Sequence, residues 1–154
     1  MFDPFPVCTK IQWIRGALIG KGSFGRVYHA FNVAAGDFIA VMQVETPKTN
    51  GDMLNTQQQE AVESLYQEIT LLKDLDHEHI VEYLGYDTDD SEGVINIFLE
   101  YVSGGSISSR LARHGAFEEP VVKHFTRQIL LGLEYLHDRS ILHRVGSSFL
   151  VFKW

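Results

Sequence analysis

Three glycines carry the first chemical signal. Residues 18–28 read Leu-Ile-Gly-Lys-Gly-Ser-Phe-Gly-Arg-Val-Tyr, so Gly20, Gly22 and Gly25 fall at the spacing G-x-G-x-x-G, with Val27 beyond them. A stretch so poor in side chains turns tightly and brings backbone N–H groups against phosphate oxygens. The chemistry on offer is therefore the binding of a phosphorylated ligand. Dinucleotide-binding folds use the same string, but there the last glycine opens a helix. Here the following residues alternate, with Val27, His29 and Phe31 on one side and Tyr28 and Ala30 on the other. That is the period of a strand. Glu45 follows Gly25 at about the 20-residue distance of a ribose-binding acid, yet no helix can be read between them. A phosphate loop joining two strands is the expectation, and an ordinary glycine-rich hairpin is the plainer alternative.

The elements that must hold this loop follow from the patterning. Strands are expected over 13–19, 26–32 and 38–44, the last from the β-rich run Phe-Ile-Ala-Val-Met-Gln-Val. Residues 47–55 are polar and turn-rich. A helix is expected over 56–75, because Val62, Leu65, Ile69, Leu72 and Leu75 recur at three- and four-residue steps. Two further strands are expected over 80–86 and 94–101, separated by the acidic residues 87–93. Ser106 is placed to cap a short helix reaching about residue 114. Glu118-Glu119-Pro120 then opens a second long helix ending near Arg139, with acids and proline in its first turn. Its apolar stripe is expected to be Phe125, Ile129, Leu133 and Leu136, and Gly132 inside it would let a neighbour approach closely. Residues 145–154 show no clear organisation.

Composition bounds the partners. The chain has 154 residues, one domain's worth, and 45% of them are apolar, enough to form a core. A net charge of −7 argues against nucleic acid and against anionic membrane surfaces as partners. The single cysteine, Cys8, excludes an intrachain disulfide framework and a Cys-rich zinc site. The N-terminal Met-Phe-Asp-Pro-Phe-Pro lacks the basic and apolar regions of a secretory signal, and no apolar run reaches membrane-spanning length. A soluble, cytoplasmic protein is the default expectation.

Taken in order, further motifs join the glycine loop. Ala40-Val41 is followed by Gln67-Glu68-Ile69-Thr70-Leu71-Leu72-Lys73 and His77-Glu78-His79-Ile80-Val81. Then come Phe98-Leu99-Glu100-Tyr101-Val102-Ser103-Gly104-Gly105-Ser106 and Leu136-His137-Asp138-Arg139-Ser140-Ile141-Leu142-His143-Arg144. In that order and spacing the chain closely resembles the eukaryotic protein kinases over about residues 12–144. Within them it is most similar to the MAP kinase kinase kinase group of serine/threonine kinases, especially fungal ones. The resemblance implies an α+β fold: a kinase small lobe of a five-stranded antiparallel sheet plus one long helix, then the first helices of a large lobe whose remainder is missing. Its implied division is a lead-in over 1–11, small lobe and hinge over 12–102, the start of the large lobe over 103–144, and an unrelated tail over 145–154.

The resemblance also implies site roles. Gly20, Gly22 and Gly25, with Ile19, Lys21, Ser23 and Phe24 between and beside them, would cover the phosphates of ATP. Val27 and Ala40 would pack on the adenine, Leu99 would stand at the back of the pocket, and the backbone of Glu100 and Val102 would pair with the base. Glu68 would be the helix acid that pairs with a third-strand lysine, and His143 and Arg144 would begin the catalytic loop.

The sequence departs from the family at two places. Where Val-Ala-Ile-Lys is the pattern, this chain reads Ile39-Ala40-Val41-Met42, so the lysine that would charge the α- and β-phosphates is replaced by a methionine. Glu68 is then expected to turn toward water, because an unpaired carboxylate is costly to bury. Lys21 lies in the glycine loop itself and is not expected to substitute. Where His-Arg-Asp-x-x-x-x-Asn is the pattern, the chain reads His143-Arg144-Val145-Gly146-Ser147-Ser148-Phe149-Leu150. Valine stands at the position of the catalytic base and leucine at that of the magnesium-binding Asn, and no Asp-Phe-Gly follows. Such an abrupt change is what translation into an intron or past a frameshift would give. The expectation is thus a kinase-domain fragment that binds ATP weakly, whose family uses magnesium but whose magnesium ligands are absent. The family reaction, transfer of the γ-phosphate to serine or threonine in a signalling cascade, is expected to be lost. The alternatives are a pseudokinase-like module that engages a protein partner and a truncated product without function. An exposed stripe on the second long helix would make the chain aggregate or bind a chaperone.

Overall fold

The computed structural model of the chain describes residues 10–22, 25–46, 56–89, 91–142 and 153. Five strands, β1 (Trp13–Gly22), β2 (Gly25–Asn32), β3 (Asp37–Glu45), β4 (Tyr83–Asp89) and β5 (Val94–Glu100), form one sheet in the order β1-β2-β3-β5-β4. Every neighbouring pair is antiparallel. Helix α1 (Thr56–Lys73) connects the third strand to the fourth, and α2 (Ile107–His114) and α3 (Glu119–Asp138) follow the sheet. The chain divides into two compact units. The first holds the sheet and α1, through Leu75 and again over Glu82–Tyr101, and the second holds Asp76–Val81 and the chain from Val102 onward.

In the first unit, strand alternation sorts the side chains onto two faces. Ala30, Ile39, Val41 and Phe98 are buried on one face, against Ile11, Trp13 and Leu84. Trp13 meets Phe98 edge-on at 6.3 Å between ring centroids. The other face carries Ala40, Met42, Ile95, Ile97, Leu99 and Tyr86, all buried. Helix α1 lies on that side: its Tyr66 packs edge-on against Tyr86 at 5.8 Å. Its buried residues Leu65, Ile69 and Leu72 are the ones the periodicity selects, each contributing about 1.5–3 kcal/mol by leaving water. The helix ends at Lys73, short of the expected residue 75, yet Leu75 stays buried, its N–H donating to the Leu72 carbonyl at 3.2 Å.

The acidic connection between β4 and β5 is a turn held by Asp89. Its carboxylate accepts from the Ser91 hydroxyl at 2.6 Å and from the N–H groups of Ser91 and Glu92 at 3.0 and 3.1 Å. The Ser91 hydroxyl is the largest cause that holds this carboxyl below the ordinary aspartate range.

In the second unit, Ser106 caps α2 as expected, its Oγ accepting from the Ser109 N–H at 3.0 Å. Gly115 ends that helix at φ 75° and donates to the Leu111 carbonyl at 2.9 Å. Helix α3 starts after Glu118 with Pro120 in its first turn. Tyr135 ties it to the segment Asp76–Val81: its hydroxyl accepts from the Asp76 N–H at 2.9 Å, and its ring lies 4.7 Å from that of His77. Gly132 and Leu136 are buried. The stripe expected to be exposed needs correction. Leu136 is fully buried, Phe125, Ile129 and Leu133 are half-buried, and Phe125 packs on Phe117 at 5.5 Å. The residues that α3 leaves in solvent are instead Val121, Val122 and Leu130.

Candidate nucleotide site

One continuous cross-strand row organises the site in the first unit. Gly20 lies opposite Val27, Val27 opposite Met42, Met42 opposite Ile97, and Ile97 opposite Tyr86. A second row on the same face puts Ala40 between His29 and Leu99. Val27, Ala40, Met42 and Leu99, read separately in the sequence, therefore share one apolar face.

The glycines differ in what demands them. A β-carbon added at Gly25 would stand 1.9 Å from the Gln43 carbonyl oxygen, so the fold itself requires glycine there. At Gly20 the nearest atoms to an added β-carbon are those of Val27, at 3.5 and 3.7 Å, an ordinary contact. Gly20 is thus open on the side that the apolar face presents. Gly22 pairs with Gly25 and closes the β1–β2 hairpin. Gly16, which the sequence reading passed over, is also required by the fold: a β-carbon would stand 2.6 Å from the His29 carbonyl oxygen. Ile19 and Lys21 are exposed on β1. Ser23, Phe24, His143, Arg144 and Val145 lie outside the described residues.

Met42 is 8% exposed and packs within the sheet. Its thioether carries no charge, so this point of the face offers dispersion contacts and no attraction for phosphate. Glu68 does not turn into water. It is half-buried on α1 and has an interaction partner. Leu99 is buried. Glu100 is clamped on Glu82, its N–H donating to the Glu82 carbonyl at 2.9 Å and its Oε2 accepting from the Glu82 N–H at 3.1 Å. Val102 opens the second unit, and its carbonyl accepts from the Gly105 N–H at 3.4 Å.

The opposite face of the sheet holds what sequence reading missed. Gln43 and Asn96, both buried, form a side-chain pair in which Gln43 Nε2 donates to Asn96 Oδ1 at 2.7 Å. A cavity of about 630 Å³ opens beside them, lined among others by Arg15, Arg26, Tyr28, Glu45 and Glu92. It mixes both signs of charge and shares only Gly25 with the expected site.

Among the described residues no group of three or more His, Cys, Asp or Glu side chains is placed to hold a metal ion. Nor, among them, is any helix long and apolar enough to cross a membrane.

Comparison with known proteins agrees with this architecture. A family profile described as "Protein kinase domain" matches residues 13–144. The chain is 48% identical over 138 residues to serine/threonine-protein kinase BCK1/SLK1/SSP31 of Saccharomyces cerevisiae, covering 88% of this chain and 9% of that one. It is 46% identical over 136 residues to MAP kinase kinase kinase mkh1 of Schizosaccharomyces pombe, covering 88% of this chain and 12% of that one. With mitogen-activated protein kinase kinase kinase 2 of Arabidopsis thaliana the identity is 46% over 143 residues, covering 92% of this chain and 21% of the other. The chain thus spans about a tenth to a fifth of the length of these relatives. With its five-stranded antiparallel sheet and long helix α1, the chain belongs to the protein kinase domain family and resembles its MAP kinase kinase kinases.

Proposed function

We propose that this chain is a MAP kinase kinase kinase-type domain that holds adenine nucleotide weakly and does not transfer phosphate. The observation that carries the reading is Met42, buried between Val27 and Ile97 where the family pattern has lysine. A lysine there draws the α- and β-phosphates by charge, and removing it leaves the base-binding face intact while taking away the attraction. Val27, Ala40 and Leu99 would hold the adenine, the Glu100 backbone would border it, and Gly20, Gly22 and Gly25 would run beside the phosphates. Val145 in place of the catalytic base supports the second half of the reading, since a valine side chain has no group to take the acceptor's proton. The relatives' names describe serine/threonine and MAP kinase kinase kinases, and the proposed role of this chain keeps their nucleotide and protein contacts without their reaction.

Titration calorimetry with ATP, with and without magnesium, tests this. The expected dissociation constant is weaker than about 100 μM, near −5.5 kcal/mol, with little change on adding magnesium. Micromolar binding that depends on magnesium would overturn the proposal.

A further inference from the structure

Where β5 ends, the chain is fixed at three successive residues, each in a different way. Leu99 lies in the sheet opposite Ala40. Glu100 is held on the Glu82 backbone by its own N–H and its carboxylate. Tyr101, just past the strand and the last residue of the first unit, is held by a ring: its side chain meets that of His29 at 4.4 Å between centroids. His29 is stacked in turn on Phe38, at 4.6 Å with 19° between the planes, and Phe38 meets Phe31 at 5.4 Å. The register explains the stack. His29 pairs with Ala40 and Phe31 with Phe38, so the rings stand together on the face that carries Val27 and Ala40. Gly16 leaves His29 room on β1: a β-carbon there would stand 2.6 Å from its carbonyl oxygen and 3.6 Å from its Nδ1. Phe38 is 57% exposed, so it adds little to the core, and its ring acts as a wall for the imidazole.

We propose that His29 is a positioning residue for the nucleotide base: by holding the Tyr101 ring it sets the backbone of Glu100 and Tyr101 beside the apolar face. The inference rests on the reading of that face as the adenine site. A ring at position 29 limits where the Tyr101 ring can lie, and so limits the peptide between residues 100 and 101. Aromatic pairs at such separations hold each other beyond what burial of area alone gives. A base bordered by backbone groups is sensitive to their placement, because a hydrogen bond weakens steeply as it goes out of line. The phosphates, in contrast, are assigned to Gly20, Gly22 and Gly25, and none of these glycines takes part in the ring stack. His29 should therefore act on the base and not on the phosphates. Among the described residues its imidazole makes ring contacts and no hydrogen bond, so the ring and not its nitrogens does the holding. Phenylalanine should be able to take its place, and leucine should not.

Two measurements on the 154-residue chain test this with His29→Leu and His29→Phe. Hydrogen exchange of the ligand-free protein reads the positioning by itself, at the Glu100 amide that donates to the Glu82 carbonyl. In His29→Leu this amide should exchange roughly three- to ten-fold faster, the size of one aromatic pair, while amides at the centre of β3 keep their native rates. His29→Phe should exchange like the native chain. Titrations followed by NMR then use adenosine, which carries the base alone, and inorganic tripolyphosphate, which carries none. His29→Leu should bind adenosine roughly three- to ten-fold more weakly and tripolyphosphate as the native chain does, and His29→Phe should recover adenosine binding. An unchanged Glu100 amide in His29→Leu would overturn the positioning role. So would equal losses for adenosine and tripolyphosphate, which a general loosening of the fold would give, or failure of His29→Phe to recover either readout. If the native chain bound neither probe while Glu100 exchanged as expected, the nucleotide reading would fall, and with it the base as the ligand that His29 serves.

Discussion

Gly25 sits so close beneath Gln43 that a β-carbon at position 25 would stand 1.9 Å from the Gln43 carbonyl oxygen. Gly20, in the same motif, has only Val27 within ordinary contact distance. The two glycines should therefore separate under the same substitution. Gly25→Ala is expected to cost more than about 3 kcal/mol, because backbone and not a yielding side chain must move. Gly20→Ala should change stability by less than about 1 kcal/mol, while any nucleotide affinity falls because the new methyl enters the open space. Thermal melts of both variants, paired with ATP titration of Gly20→Ala, check this. Equal losses of stability would contradict it.

The separation also shows where sequence reading reaches and where it stops. Alternation of Val27, His29 and Phe31 with Tyr28 and Ala30 foretold the second strand, because successive side chains of a pleated strand point to opposite faces. The fourth strand was expected over 80–86 but runs Tyr83–Asp89. Ile80 and Val81 are buried, yet they belong to the second unit, so an apolar run there reports burial and not strand pairing. On α3, the adjacent Ile129, Leu130 and Leu131 give no single phase, and the face left in solvent could not be chosen from periodicity. The shared face of Val27, Ala40, Met42 and Leu99 was legible only through the family resemblance. The strand register that joins them depends on pairings between distant parts of the chain.

Gln43 and Asn96 are a case that no local pattern reveals, since they meet across the β3–β5 ladder. Asn96→Ala should leave the Gln43 amide without its partner and cost about 1–3 kcal/mol. Replacing both by apolar residues of similar size, Gln43→Met with Asn96→Leu, should cost less than the sum of the two single changes. A double-mutant cycle by urea unfolding measures the difference. Strict additivity would mean that the 2.7 Å bond contributes nothing beyond its parts.

Met42→Lys should trade fold stability for nucleotide affinity. Position 42 is 8% exposed, so an ammonium placed there loses much of its hydration, at a cost of several kcal/mol unless it is paired. ATP would supply part of that pairing. The ligand-free variant should melt below the native chain, and saturating ATP should raise its melting temperature by more than it raises that of the native chain. An equal ATP-induced shift in both proteins would show that residue 42 does not face the phosphates. The proposed site would then be misplaced.

Phosphotransfer should be undetectable, and restoring the lysine alone should not recover it. Kinase chemistry consists of positioning and of stabilising charge around the transferring phosphoryl group. Met42 removes one source of that charge, and Val145 removes the group that would accept the proton of the attacking hydroxyl. Loss of a general base alone costs roughly 10²–10⁴-fold. Leu150, at the position of the metal-binding Asn, removes a ligand that would help keep magnesium on the β- and γ-phosphates. These groups act on one transition state, so repairing one or two of them recovers little. The measurement is transfer of radiolabelled phosphate from ATP to a generic acceptor protein, by the native chain, by Met42→Lys and by Met42→Lys with Val145→Asp. All three should match the no-enzyme control. Clear transfer by the native chain would mean that lysine and aspartate equivalents are supplied from elsewhere in the 154 residues, and the inactive reading would fall.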